Sequence, residues 1–104
     1  MVNPFRTFWK AHTMAVFLVT YDLNEEGAER PDITGFLRDH FDFWAELSES
    51  SYAIAADIPA NTIFKIFEPL LDENDQLYVI PLEWPYAGRG PQQVNDWLES
   101  FLTP

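Results

Sequence analysis

Residues 15–20 read Ala-Val-Phe-Leu-Val-Thr, six positions with almost no polarity, most of them β-branched or aromatic. A continuous apolar run of this length, followed by turn formers, reads as a strand buried on both faces, since a solvated face would interrupt it with polar residues. The run delivers Tyr21, Asp22 and Asn24 to the strand's carboxyl end, where a buried strand meets acid. Whatever the chain folds into must place this strand in the middle of a sheet.

The rest of the chain supplies the layers around it. Residues 25–30 form a polar connection broken by Gly27, and Pro31 with Asp32 signals a helix start, since Pro suits a first turn and Asp can cap orphan amides. Ile33, Phe36, Leu37 and Phe41 follow at helical intervals, so a helix runs to about His40. Gly35 inside it costs about 1 kcal/mol relative to Ala, which tertiary packing must offset. From Asp42 the period changes to two. Phe43, Ala45 and Leu47 alternate with Trp44, Glu46 and Ser48, Glu49 and Ser50 turn, and residues 51–56 return as a second arm, giving a β-hairpin. Ala53, Ala55 and Ala56 are small enough for close packing beneath a helix or a second sheet.

Residues 57–61 break that strand, and Asn61 is expected to cap a second helix whose apolar face is Ile63, Ile66, Phe67 and Leu70. Pro69 kinks or closes its last turn. A polar turn at residues 72–75 leads into a strand over residues 76–82, which Pro81 marks as an edge or an end. A loop rich in Gly and aromatics, residues 84–90, precedes Pro91, which opens a last helix carrying Val94, Trp97, Leu98, Phe101 and Leu102 on one side. The order predicts an α+β fold, a ferredoxin-like βαββαβ sandwich with an additional carboxyl-terminal helix. Right-handed crossovers would set the first strand centrally, as its composition demands.

Residues 19–23 (Val-Thr-Tyr-Asp-Leu), the hairpin containing Trp44, Ser51 and Tyr52, and residues 74–80 (Asn-Asp-Gln-Leu-Tyr-Val-Ile) together resemble a known group. Over residues 14–82 the chain is similar to the small ferredoxin-fold proteins of CRISPR adaptation, the partner subunit of the spacer integrase. It resembles still more their uncharacterised relatives outside CRISPR loci. The resemblance implies a homodimer. It also implies that the aspartate ending strand one, here Asp22, is the residue through which some members act as metal-dependent nucleases. Two copies of Asp22 across a dimer axis could then share Mg²⁺ or Mn²⁺, hard cations that take carboxylate and water.

Charge bears on these expectations. Seventeen Asp and Glu against six Lys and Arg leave a net charge of −11, a field that repels phosphate backbones and disfavours direct nucleic-acid binding. The same field suits a basic protein partner, and allows an acidic nucleic-acid mimic that occupies one. Without cysteine there is neither disulfide nor thiolate chemistry, in keeping with a cytoplasmic protein. No apolar run approaches the roughly 20 residues a membrane helix requires.

Residues 1–13 hold two of the six basic residues and no acid, and lack the apolar core of a secretory signal. Their contrast with the body predicts an extension that the fold of residues 14–104, a single domain, does without. Phe5, Phe8 and Trp9 could form a short amphipathic turn within it.

Among candidate sites, Asp22 and Asn24 suit either a metal or an Asx turn, and Asp57 closes the third strand where a carboxylate pair with Asp22 is conceivable. Glu46 and Glu49 are expected to face solvent. His12 and His40 show no metal-ligand spacing, Ser48, Ser50 and Ser51 are turn residues, and the Gly88 to Gly90 segment lacks the spacing of a phosphate loop. Arg89 is the only cation after Lys65 and is expected to meet a carboxylate on a neighbour. An aromatic share of 16% exceeds what a small core absorbs, and Trp84, Tyr86, Trp97 and Phe101 form the candidate interaction set. The sequence therefore favours a non-catalytic homodimeric scaffold or regulatory module without a cofactor, with the Asp22 nuclease and the acidic mimic as alternatives.

Overall fold

The computed structural model describes Val2, residues 14–24 and residues 32–104. The elements run β1 (Ala15–Asp22), α1 (Ile33–His40), β2 (Trp44–Ser48), β3 (Ser51–Ala56), α2 (Ala60–Phe67), β4 (Gln76–Leu82) and α3 (Gln92–Phe101), with a 3₁₀ turn at Glu68–Leu70. The four strands form one sheet in the order β2-β3-β1-β4. Every neighbouring pair is antiparallel. The molecule is α+β, and the arrangement is consistent with a ferredoxin-like fold.

β1 is central, flanked by β3 and β4 along nearly its whole length, and β4 is an edge where Pro81 costs no interior pairing. Alternation along β1 sends Phe17, Val19 and Tyr21 to one face and Val16, Leu18, Thr20 and Asp22 to the other. The first face is closed by α1 and α2, whose Ile33, Leu37, Ile63 and Phe67 pack with Tyr52 and Ile54 of β3 in the larger core. α3 lies against the second face, where Trp97 and Phe101 meet Val16, Phe43, Ala45, Ala53 and Ala55. The alanines leave the room these rings occupy.

Local chemistry explains the helix boundaries. Asp32 caps α1, its carboxylate accepting from the Gly35 amide at 2.9 Å. A Cβ at Gly35 would collide with that carboxylate, so the glycine that weakens the helix interior also admits its cap. At α2 the expected cap is corrected. Pro59 is the N-cap, in extended conformation and without a side-chain bond, and Asn61 falls inside the first turn. Proline's restricted φ ends the extended entry there, two residues before the polar side chain. Pro69 sits in the 3₁₀ turn that tightens the end of α2, as a residue without an amide proton would.

Val2 makes an isolated antiparallel bridge with Ala45. The aromatic stripe Phe5, Phe8 and Trp9, the His12 side chain, the polar connection at residues 25–30 and Pro31 lie outside the described residues, as do residues 1 and 3–13 of the expected extension.

Candidate interaction face

The second face of the sheet is only partly covered. Register sets Leu82, Ile80, Tyr78 and Gln76 of β4 beside Val16, Leu18, Thr20 and Asp22 of β1. On β1's other side stand Ala55, Ala53 and Ser51 of β3, with Thr20 Oγ1 and Ser51 Oγ 2.8 Å apart. α3 covers the β2–β3 part and reaches Val16 and Leu82 at one end of the β1–β4 part, leaving Tyr78 and Ile80 outward. Tyr78 is 61% exposed, Ile80 45% and Leu47 41%. Leu47 stands at a register shift in β2 and faces Val94 and Leu98 across a cleft. Among the strand residues of this face only Asp22 is charged, although 22% of the chain is Asp, Glu, Lys or Arg. Such charge depletion over exposed apolar side chains is what interface cores share.

The four aromatics of the interaction set divide. Trp97 is 1% exposed and Phe101 4%, with ring centroids 4.3 Å apart, and both dock α3 on its own sheet. Trp84 at 50% and Tyr86 at 40% project from the loop between β4 and α3. Their positions in the chain carry the distinction: Trp97 and Phe101 share one helix stripe, whereas loop aromatics have no stripe to join.

Asp22 is the last residue of β1, exposed and opposite Gln76, at a shallow depression it shares with Thr20, Tyr21 and Tyr78. Among the described residues the other donors there are amide and hydroxyl groups, a set that does not fit a divalent cation, which wants several converging carboxylates. No group of three or more His, Cys, Asp or Glu placed to hold a metal occurs among the described residues. The pairing of Asp22 with Asp57 is corrected. β3 runs antiparallel to β1, with Ala56 opposite Ala15 and Ser51 opposite Thr20, so Asp57 emerges at the far end of the sheet. The backbone N–H of Asn24 donates to Asp75 Oδ1 at 2.8 Å, and Asp75 Oδ2 also accepts from the backbone N–H of Asp72, tying the β4 turn to the end of β1.

On the helix-covered face is a polar cluster that sequence reasoning missed. Arg38 of α1 donates to the Tyr52 hydroxyl through Nε at 3.0 Å and through a terminal nitrogen at 2.7 Å, which also lies 3.4 Å from Glu46 Oε1. Its guanidinium sits 5.0 Å from the Trp44 ring centroid. Glu46, expected to face solvent, is therefore half-buried and ion-paired, because Arg38 of α1 reaches it. Glu49 is exposed as expected. Nearby, the Tyr21 hydroxyl lies 2.7 Å from Thr34 Oγ1.

Burial pushes the Tyr21 phenol up, against the opposing Thr34 hydrogen bond. Burial likewise raises Tyr52, against the Arg38 bonds. Both phenols stay protonated at neutral pH, which suits positioning rather than proton transfer. His40 stacks on Phe36 at the end of α1, with centroids 5.3 Å apart. Ser48 and Ser50 bond locally in the hairpin turn. Arg89 is exposed on the cleft between the 84–90 loop and α3.

Among the described residues no helix is long and apolar enough to cross a membrane. Searches of protein-family models, of curated proteins and of solved structures find no match to this chain.

Proposed function

We propose that this protein is a non-catalytic homodimeric scaffold or regulatory interaction module of the cytoplasm, built as a ferredoxin-like βαββαβ sandwich with a carboxyl-terminal helix. The assembly follows the kind expected of the CRISPR-adaptation family it resembles. One observation carries the reading: the charge-poor strip of Leu18, Thr20, Tyr78 and Ile80 beside α3. Two copies, each at −11, repel over most of their surfaces. On this strip they can meet through apolar contact with only Asp22 at its rim, and burying it removes exposed aromatic and aliphatic area from water.

Light scattering at micromolar concentration, from about 0.05 to about 0.5 M salt, tests the reading. The expected mass is twice 12.1 kDa, with the dimer tightening as salt screens the net charge. A monomer throughout overturns it. Association with a basic protein would weaken over the same salt range, which separates the two modes. Cleavage of RNA or DNA that needs Mg²⁺ or Mn²⁺ and disappears in Asp22→Asn would put the nuclease in this reading's place.

A further inference from the structure

The loop that leaves β4 builds a second feature, beside the sheet face and apart from Tyr78 and Ile80. Trp84 and Tyr86 act as walls between three successive clefts. The first, about 680 Å³, lies between Trp84, Pro81, Met14, Phe101 and Pro104. The second, about 560 Å³, lies between Trp84 and Tyr86 over Leu102 and Pro104. The third, about 320 Å³, lies beyond Tyr86, over Val94 and Leu98 and under Pro91. Both walls are half-exposed rings on a loop, outside the two hydrophobic cores.

Alternating ridges and clefts of this kind match a polyproline II segment. That helix has three residues per turn, makes no internal hydrogen bonds and pays little entropy on binding, so its side chains drop into successive clefts between aromatic walls. Charge decides the rest. Glu83 borders the first and third clefts, Glu99 the second and Glu46 the third, on a chain of net charge −11, while Arg89, the one cation on the three clefts among the described residues, borders the third alone. A ligand with cations at one end is therefore favoured, with that end at Trp84 and its uncharged end near Arg89.

We infer that the Trp84–Tyr86 surface is a docking site for an extended, proline-rich protein segment flanked on one side by Lys or Arg.

The probe is a synthetic peptide of repeated Leu-Pro-Pro with arginines at one end, titrated into the full chain by tryptophan emission and amide chemical shifts. Saturable binding is expected, with shifts confined to the loop, the start of β1 and α3. Trp84→Ala should weaken it about tenfold or more, as loss of a central aromatic anchor does, with an unchanged circular dichroism spectrum. Replacing the arginines by glutamates, or raising salt, should weaken it several-fold. Ile80→Lys should leave it unchanged, so the site stands or falls separately from the dimer. No saturation at millimolar peptide, equal binding of a peptide with alanines for prolines, indifference to Trp84→Ala, or loss in Ile80→Lys would each overturn the assignment.

Discussion

The two faces of the sheet solve the same problem differently. On the α1–α2 face, large side chains stand on both sheet and helices, and its polar groups have partners: Tyr21 with Thr34, and Tyr52 with Arg38. On the α3 face, the β2–β3 half of the sheet is alanine, and the bulk comes from Trp97, Phe101 and Phe43. There Trp97 Nε1 is buried without a hydrogen-bond partner among the described residues. The β1–β4 half of that face carries large side chains itself, Tyr78 and Ile80, exposed and with no helix of the described residues packed on them. Side-chain size thus separates the surface made to receive this chain's own helix from the surface left outward. Small residues make a seat; large ones standing above the sheet make a contact.

The sharpest test of α3 as a true layer is Trp97→Ala. Removing a fully buried Trp costs about 3–5 kcal/mol, comparable to Phe67→Ala on the opposite face. Urea unfolding should also show a smaller slope for Trp97→Ala alone, because an undocked α3 exposes the alanine seat before global unfolding. A cost below about 1 kcal/mol with an unchanged slope would make α3 an appendage and collapse the comparison to one core.

Next comes the polar cluster. Arg38→Met keeps a long stem over Trp44 but leaves the buried Tyr52 hydroxyl without its donor, for an expected loss of about 1–3 kcal/mol. Glu46→Gln should cost only about 0–1 kcal/mol, since the pair is 3.4 Å apart and both side chains are about a third exposed. If the two variants cost the same, the ion pair to β2 rather than the phenol bond to β3 anchors α1 on the sheet.

How much of this was legible follows the locality of the signals. β3 and β4 are bounded by turn residues, so their limits could be read directly, and Pro81 narrowed β4 to an edge or an ending strand, of which the edge is what forms. The division of the aromatics was half legible, because the spacing of Trp97 and Phe101 marks one helix stripe, whereas nothing local says that Trp84 and Tyr86 stay outside. Asp57 was misplaced because a strand-end position means little until the direction of pairing is known. Arg38, Glu46 and Tyr52 come from three elements, and no spacing in a single sequence joins them. The N-cap of α2 failed for a simpler reason: the proline two residues ahead of Asn61 had already set the entry.

A smaller effect separates the faces by pH. Tyr21→Phe removes one hydroxyl bond to Thr34 and should cost about 1 kcal/mol near neutrality. Burial holds the folded phenol above its ordinary value of 10.0, so the unfolded chain loses this proton first. The stabilisation is therefore complete below pH 10 and falls as pH rises beyond it. Tyr52 titrates in the same sense. Denaturant midpoints should drop above pH 10 in the parent and less steeply in Tyr21→Phe. Equal slopes would mean that this phenol is no more shielded folded than unfolded.

The smallest effect on the protomer should come from Ile80→Lys, and it tests the open half of the second face most directly. Ile54 and Ile80 are the same residue on neighbouring strands of β1, one at 0% exposure under the helices and one at 45% on the uncovered strip. Ile54→Ala should cost about 2–5 kcal/mol, because it opens a cavity in a closed core. Ile80→Lys opens none. It exchanges a β-branched side chain for a long one that reaches water, so protomer stability should change by no more than about 0.5 kcal/mol. Its effect on assembly should be the reverse. A lysine in the strip sets two ammonium groups close to an apolar twofold contact, and desolvating them costs more than the added positive charge recovers from a chain at −11. Dilution series by light scattering should therefore find Ile80→Lys monomeric where the parent is dimeric, with unfolding midpoints of the two monomers nearly superimposed. If instead the protomer itself loses several kcal/mol, the strip is already covered within one chain, and the contrast between the faces rests on the wrong surface.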